Sequence, residues 1–263
     1  MTARPLHSVA AASLVLYGCA TFPVEPEPGA PFGQISSKLG RPGFVLAAPH
    51  GSSDTHTGAI TAEVARRTGF GLVIATGFML EPDSVERPGR RYQVNRPTEG
   101  VPGRPPSEEV ETQAAQQVYA EFERRVLETA QGPLVLYAEI HGNGQRETAG
   151  RIEIATVNID RDTAWRLRTL FELIRDARLR ARPDAPRLAV LVEPLDSLRY
   201  TASAAKQAGV LRLPSRALHI EIPKTARTEW RALYTEILAD FLAQAASLVE
   251  SRGRVPIPAR GGP

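Results

Sequence analysis

Phe44-Val45-Leu46-Ala47-Ala48-Pro49-His50-Gly51-Ser52-Ser53-Asp54-Thr55-His56 is an apolar run that stops at a proline, a glycine turn and a group of ligand-type side chains. The apolar part reads as a buried strand. The polar turn at its carboxyl end stands where open α/β sheets hold their ligands. Outward from this stretch, β-rich runs at 44–49, 71–76, 133–141, 151–157, 188–193 and 217–222 alternate with helical periodicity over 58–68, 107–131, 160–181 and 226–250. That alternation predicts a three-layer α/β sandwich with a mostly parallel or mixed central sheet and helices on both faces.

The helices carry their own marks. Ser107 followed by Glu108 and Glu109 reads as an N-cap with acidic first-turn residues. Val110, Ala114, Val118, Phe122 and Val126 then form one apolar stripe. Trp165, Leu167, Leu170, Phe171 and Ile174 do the same, as do Trp230, Leu233, Ile237 and Phe241. All three stripes predict core packing. Residues 79–106 are loaded with Pro, Gly and Arg, and so long a loop in a compact domain is usually functional.

The amino terminus has a positive Arg4, an apolar stretch over 9–16 and then Leu16-Tyr17-Gly18-Cys19. The stretch is far short of the roughly 20 residues that span a bilayer, but it suits a signal h-region. Cys19 is the only cysteine in 263 residues, so no intramolecular disulfide can form and the thiol is free for acylation. The likeness to bacterial lipoprotein signals implies cleavage before Cys19, which leaves 263 − 18 = 245 residues, and lipidation of Cys19. Ala20 in place of Asp goes with outer-membrane sorting in such proteins. The expectation is therefore a lipid-anchored periplasmic protein of a Gram-negative outer membrane. Its parts are a signal peptide over 1–18, a Pro- and Gly-rich tether over 19–41, a single domain over 42–251 and a disordered tail over 252–263. The charges nearly balance, with 32 Lys and Arg against 29 Asp and Glu, and arginine is spread along the chain. Nucleic-acid binding has little support.

Four constellations carry chemistry. His50 and Asp54 converge across the turn after the first run, and imidazole and carboxylate are good zinc ligands. Glu139-Ile140-His141-Gly142-Asn143-Gly144 ends the run Leu134-Val135-Leu136-Tyr137-Ala138, with Glu139 and His141 on one strand face. Two histidines and a carboxylate, with a fourth position for water, describe a catalytic zinc site. His56 and Glu139 are reserve ligands, or groups that orient a ligand imidazole. In Leu218-His219-Ile220-Glu221-Ile222-Pro223, His219 and Glu221 share the polar face, and Glu221 is either a general base or the ion-pair partner of Lys224 or Arg227. Finally, Asn95 and Arg96 in the long loop can grip a carboxylate.

Taken in order over residues 44–227, these pieces resemble the N-formylglutamate amidohydrolase-like proteins, relatives of the zinc carboxypeptidases. The shared marks are the Pro-His-Gly turn, the Val-Asn-Arg segment, the His-Gly strand end and the late Ile-Glu-Ile strand. The resemblance implies zinc on His50, Asp54 and His141, a substrate carboxylate on Asn95 and Arg96, and Glu221 activating water. The His-x-x-x-Asp spacing departs from the His-x-x-Glu of zinc carboxypeptidases. The expected function is zinc-dependent hydrolysis of a small acidic amide or peptide, with cell-wall or γ-glutamyl peptides the available substrates. The rival expectation is a non-catalytic lipoprotein that binds an acidic ligand on the same fold.

Overall fold

In this computed structural model, residues 18–24, 33–80, 89–101 and 104–251 are described. The strands are β1 (Ala20–Val24), β2 (Gly33–Lys38), β3 (Arg41–Ala48), β4 (Phe70–Thr76), β5 (Met79–Leu80), β6 (Arg90–Tyr92), β7 (Thr98–Gly100), β8 (Val110–Glu111), β9 (Leu136–Asn143), β10 (Arg151–Val157), β11 (Ala189–Val192) and β12 (Arg216–Pro223). The helices are α1 (Thr57–Thr68), α2 (Gln113–Ala130), α3 (Arg161–Leu179), α4 (Ser203–Ala208), α5 (Lys224–Arg227) and α6 (Arg231–Ser251). Eight strands form one mixed sheet in the order β1-β2-β4-β3-β9-β12-β10-β11, and β5 to β8 form a small antiparallel sheet. The four central strands β4, β3, β9 and β12 run parallel. Strands β2 and β10 flank them in the opposite sense. The three-layer α/β sandwich read from the sequence is the observed fold.

Alternation along each strand sends side chains to two cores. Leu46, Leu136, Ala138, Ile140, Leu218, Ile220 and Ile222 pack with α1, α3 and α6. Val45, Ala47, Tyr137 and Ala217 pack with α2 on the other face. Along that second face, Tyr137 gives way to Glu139 and His141, while Ala217 gives way to His219 and Glu221. A sheet face thus turns from apolar to polar towards the carboxyl ends of its parallel strands. Helix α6 is long and apolar enough to cross a membrane by length and composition, yet Ile237, Leu238, Phe241 and Leu242 are wholly buried against the sheet layer.

Several expectations need correction. Residues 19–41 are not a tether throughout: β1 and β2 extend the sheet edge, and Ile35 is wholly buried. The folded domain therefore starts before residue 42. Helix α2 is capped by Thr112, whose hydroxyl accepts from the Ala115 amide at 3.1 Å, while Ser107 sits in a separate 3-10 turn. Val110 consequently pairs with Glu99 in β8 and is exposed. The predicted helix over 226–250 breaks between α5 and α6, where Thr228 leaves helical dihedrals. Trp165 faces solvent rather than the core. The long loop folds into β5, β6 and β7 of the small sheet, which lies beside the polar end of the main one. Arg4, the 9–16 stretch and the 252–263 tail fall outside the described residues.

Candidate metal centre

The turn after β3 is closed on itself by backbone and hydroxyl contacts. The Asp54 amide donates to His50 O at 2.9 Å, and the Thr57 hydroxyl donates to Asp54 O at 2.8 Å. Gly51 is needed because a Cβ there would stand 2.6 Å from Ile74 and 2.9 Å from the Ala75 carbonyl. The closure sets Asp54 Oδ2 3.4 Å from His50 Nδ1. From the end of β9, His141 Nδ1 comes to 3.7 Å from the same oxygen. One ligand atom from each of the three residues lies within 4.8 Å of the other two. A tetrahedral zinc with bonds of about 2.1 Å sets its ligands roughly 3.4 Å apart, and the two separations from Asp54 Oδ2 are near that spacing.

The hydrogen bonds assign the tautomer of His50. Its Nε2 lies 3.1 Å from the Gln93 carbonyl, which can only accept, so Nε2 carries the proton and Nδ1 presents a lone pair to the cluster. Burial, followed by the charge of Arg91, pushes His50 down to about 4, so the ring is neutral at pH 7 as a metal ligand must be. Burial alone would raise Asp54. The His50 ring as it protonates at low pH, the charge of His141 and the Gly142 amide outweigh that and hold the carboxyl well below the usual range. The Gly142 amide reaches Asp54 Oδ2 at 3.1 Å.

Behind the three residues lies a chain of carboxylates and imidazoles on β9 and β12. Parallel pairing sets Glu139 beside His219 and His141 beside Glu221. Glu139 is wholly buried. Its Oε1 accepts from Asn95 Nδ2 at 3.1 Å and His219 Nδ1 at 2.6 Å, and its Oε2 accepts from the Tyr137 hydroxyl at 3.1 Å. The same Oε1 stands 3.2 Å from His141 Nε2, a buried nitrogen that makes no hydrogen bond of good geometry. His219 Nε2 reaches Glu221 Oε1 at 3.2 Å, while Glu221 Oε2 is buried without a hydrogen-bond partner. Burial disfavours charge on His219, but hydrogen bonds to Glu139 and Glu221 outweigh it and raise the ring to about 9. Glu139, His141 and His219 form a second cluster of ligand type. Three donors already converge on the Glu139 carboxylate there, which makes it a hydrogen-bond hub.

The remaining expected residues are placed as follows. Glu221 pairs with His219, whereas Arg227 donates to the carbonyls of Ile222, Thr55 and Asn143. The ion pair of Glu221 with Lys224 or Arg227 is not formed. His56 is turned away, with Nδ1 3.0 Å from the Arg231 guanidinium. Asn95 is buried and joins the network through Glu139. Arg96 is closed on Glu109 by bonds of 2.8 and 2.6 Å, and its third nitrogen meets Asn95 Oδ1 at 3.3 Å. The pair expected to grip a substrate is thus engaged inside the protein. Sequence reading missed His219, although its place on the Glu221 face was a signal. A surface hollow lined by Arg161, Asp162, Trp165, Arg168 and Leu195 lies apart from these residues and holds no such cluster.

No known protein-family profile matches the chain, and no curated protein matches it in sequence. Among solved structures it is similar to a bacteriophage poly-gamma-glutamate hydrolase, at 13% identity over 86% of this chain and 91% of that one, with a TM-score of 0.46. It is also similar to a metallo-carboxypeptidase from Burkholderia cenocepacia, at 12% identity over 91% and 67%, with a TM-score of 0.43. An N-acetylmuramoyl-L-alanine amidase of Nostoc punctiforme aligns at 13% identity over 80% and 97%, with a TM-score of 0.33. The case for the chemistry rests on the side chains.

Proposed function

We propose that the chain is a zinc-dependent hydrolase of an amide bond next to a free carboxylate, in the manner of N-formylglutamate amidohydrolase-like proteins. The observation that carries this reading is the meeting of His50, Asp54 and His141 around one ligand-sized space, with Glu221 on the neighbouring strand. His50 offers Nδ1, Asp54 Oδ2 and His141 Nδ1. These three residues would hold the zinc, which when bound would supply a water of lowered pKa, towards about 7, and a Lewis acid for the carbonyl. The chain's own part is to fix and exchange protons. His219 holds Glu221 Oε1, which leaves the unpartnered Oε2 as the oxygen that takes a proton. Glu139 stands 3.2 Å behind His141 Nε2, in reach to orient that imidazole once it binds metal. Burial of the cluster excludes bulk water and strengthens each of these interactions.

A panel of N-formyl-glutamate, γ-glutamyl peptides and muropeptides tests the reading. Turnover of a panel member that stops on chelation and returns with zinc supports it. A zinc-loaded protein that binds such acids without cleaving them is the non-catalytic lipoprotein instead. We further propose that the protein is anchored by lipid on Cys19, which is exposed immediately ahead of β1, and works in the periplasm at the outer membrane. Fatty-acid label equal on the parent and on Cys19→Ser would end the anchor proposal.

A further inference from the structure

The substrate of the proposed hydrolase carries a free carboxylate, and the long loop supplies several guanidinium groups to meet it. Arg96 has all three nitrogens engaged, two on Glu109 and one on Asn95. Its side chain is 13% exposed. Arg90 is paired with the buried Glu99 at 3.0 Å. Arg91 differs from both. In β6 it points to the opposite side from Arg90 and Tyr92. Its contacts are long: 3.3 Å to Gln93 Oε1, and 3.9 Å to Asp54 Oδ1, beyond hydrogen-bond range. Its Nε, like that of Arg90, is buried with no hydrogen-bond partner, yet unlike Arg90 it has no short ion pair, and the side chain is 25% exposed. With His50, Ser52, Ser53, Phe78 and Met79 it lines a narrow cleft, so the cleft and the candidate metal site have His50 in common.

A guanidinium without a short partner, in a cleft bordered by a metal ligand, is an anion receptor. A carboxylate meeting it forms paired charge-assisted bonds, including the one that the Nε lacks. We propose that Arg91, not Arg96, binds the free carboxylate of the substrate, and that the Arg96–Glu109 pair is internal scaffolding of the small sheet. This rests on the metallohydrolase reading.

Titration of succinate into the zinc-loaded protein, followed by calorimetry, tests the assignment. The parent binds succinate, and Arg91→Met weakens binding roughly 10-fold or more while zinc content and melting temperature stay at parental values. Arg96→Met keeps succinate affinity within about threefold but lowers the melting temperature, because Glu109 is left buried without its partner. Parental affinity in Arg91→Met overturns the proposal alone, as does loss of affinity in Arg96→Met with an unchanged melting temperature. Should Arg91→Met lose zinc, Arg91→Lys decides. That variant keeps the charge but not the planar fork, so reduced affinity at full zinc supports the assignment and parental affinity overturns it. A parent that holds zinc but takes up no succinate overturns both the assignment and the acidic-substrate part of the reading. A parent without zinc overturns the metallohydrolase reading itself.

Discussion

Replacing Glu139 by glutamine separates a carboxylate that serves the metal from one that merely fills the core. Glu139 is wholly buried and holds Asn95, His219 and Tyr137 at 3.1, 2.6 and 3.1 Å. Glutamine keeps the volume. Its carbonyl can still accept from His219, and its amide can donate to the Tyr137 oxygen. What disappears is the charge. The His219 ring, raised to about 9, stays charged at pH 7, so the 2.6 Å contact falls from an ion pair to a bond assisted by one charge, a loss on the order of 1 kcal/mol within the range of about 1.5–3 kcal/mol for charge-assisted bonds. Urea unfolding of the metal-free protein measures that loss. The ligand imidazole of His141 also loses the carboxylate behind it, which predicts zinc affinity lower by about 10–100-fold in a chelator competition. A stability loss with parental zinc affinity would refute the orienting role and leave Glu139 a structural residue. Parental values in both assays would refute the network as described.

Two further substitutions follow from the same geometry. Glu221→Gln keeps the bond from His219 but cannot take a proton at Oε2, so kcat should fall by about 10²–10⁴ at parental zinc content, with only the small drop in melting temperature that loss of one charge beside His219 brings. A variant that loses stability yet still turns over would remove Glu221 from the chemistry. The raised value of His219, about 9 against 6.5, sets a pH dependence in the metal-free protein. Its stabilisation is complete below about pH 6.5 and is lost as pH rises through about 9. The urea midpoint should therefore decline over that window in the parent and much less in His219→Gln. An equal decline in both would place the titrating group elsewhere.

The legible parts of the site were those written along a single strand. His50, His141 and Glu221 each interrupt or end an apolar run, and their cost of burial marks them as used groups. Asp54 was legible through the glycine turn that bends it back on His50. His219 was not, because its importance depends on standing opposite Glu139, and that register exists only once β12 pairs in parallel with β9 across 80 residues of sequence. The same holds for Arg96. As an Asn-Arg pair in a loop it looks available, and only the pairing of β7 with β8 brings Glu109 to its fork. The Pro- and Gly-rich composition near the amino terminus concealed β1 and β2 for a related reason. The partner of β2, β4, begins at Phe70, so the hydrogen bonds that make β2 a strand are non-local, and β1 pairs in turn only with β2.

Metal content tests the central claim most directly. Protein purified without added metal and analysed for elements should hold one zinc per chain, and His50→Ala or His141→Ala should abolish it. Asp54→Ala should weaken it, since Asp54 Oδ2 is the atom that both imidazoles face. A folded parent that stays free of zinc after dialysis against the ion would contradict the account. So would full retention of zinc in both histidine variants.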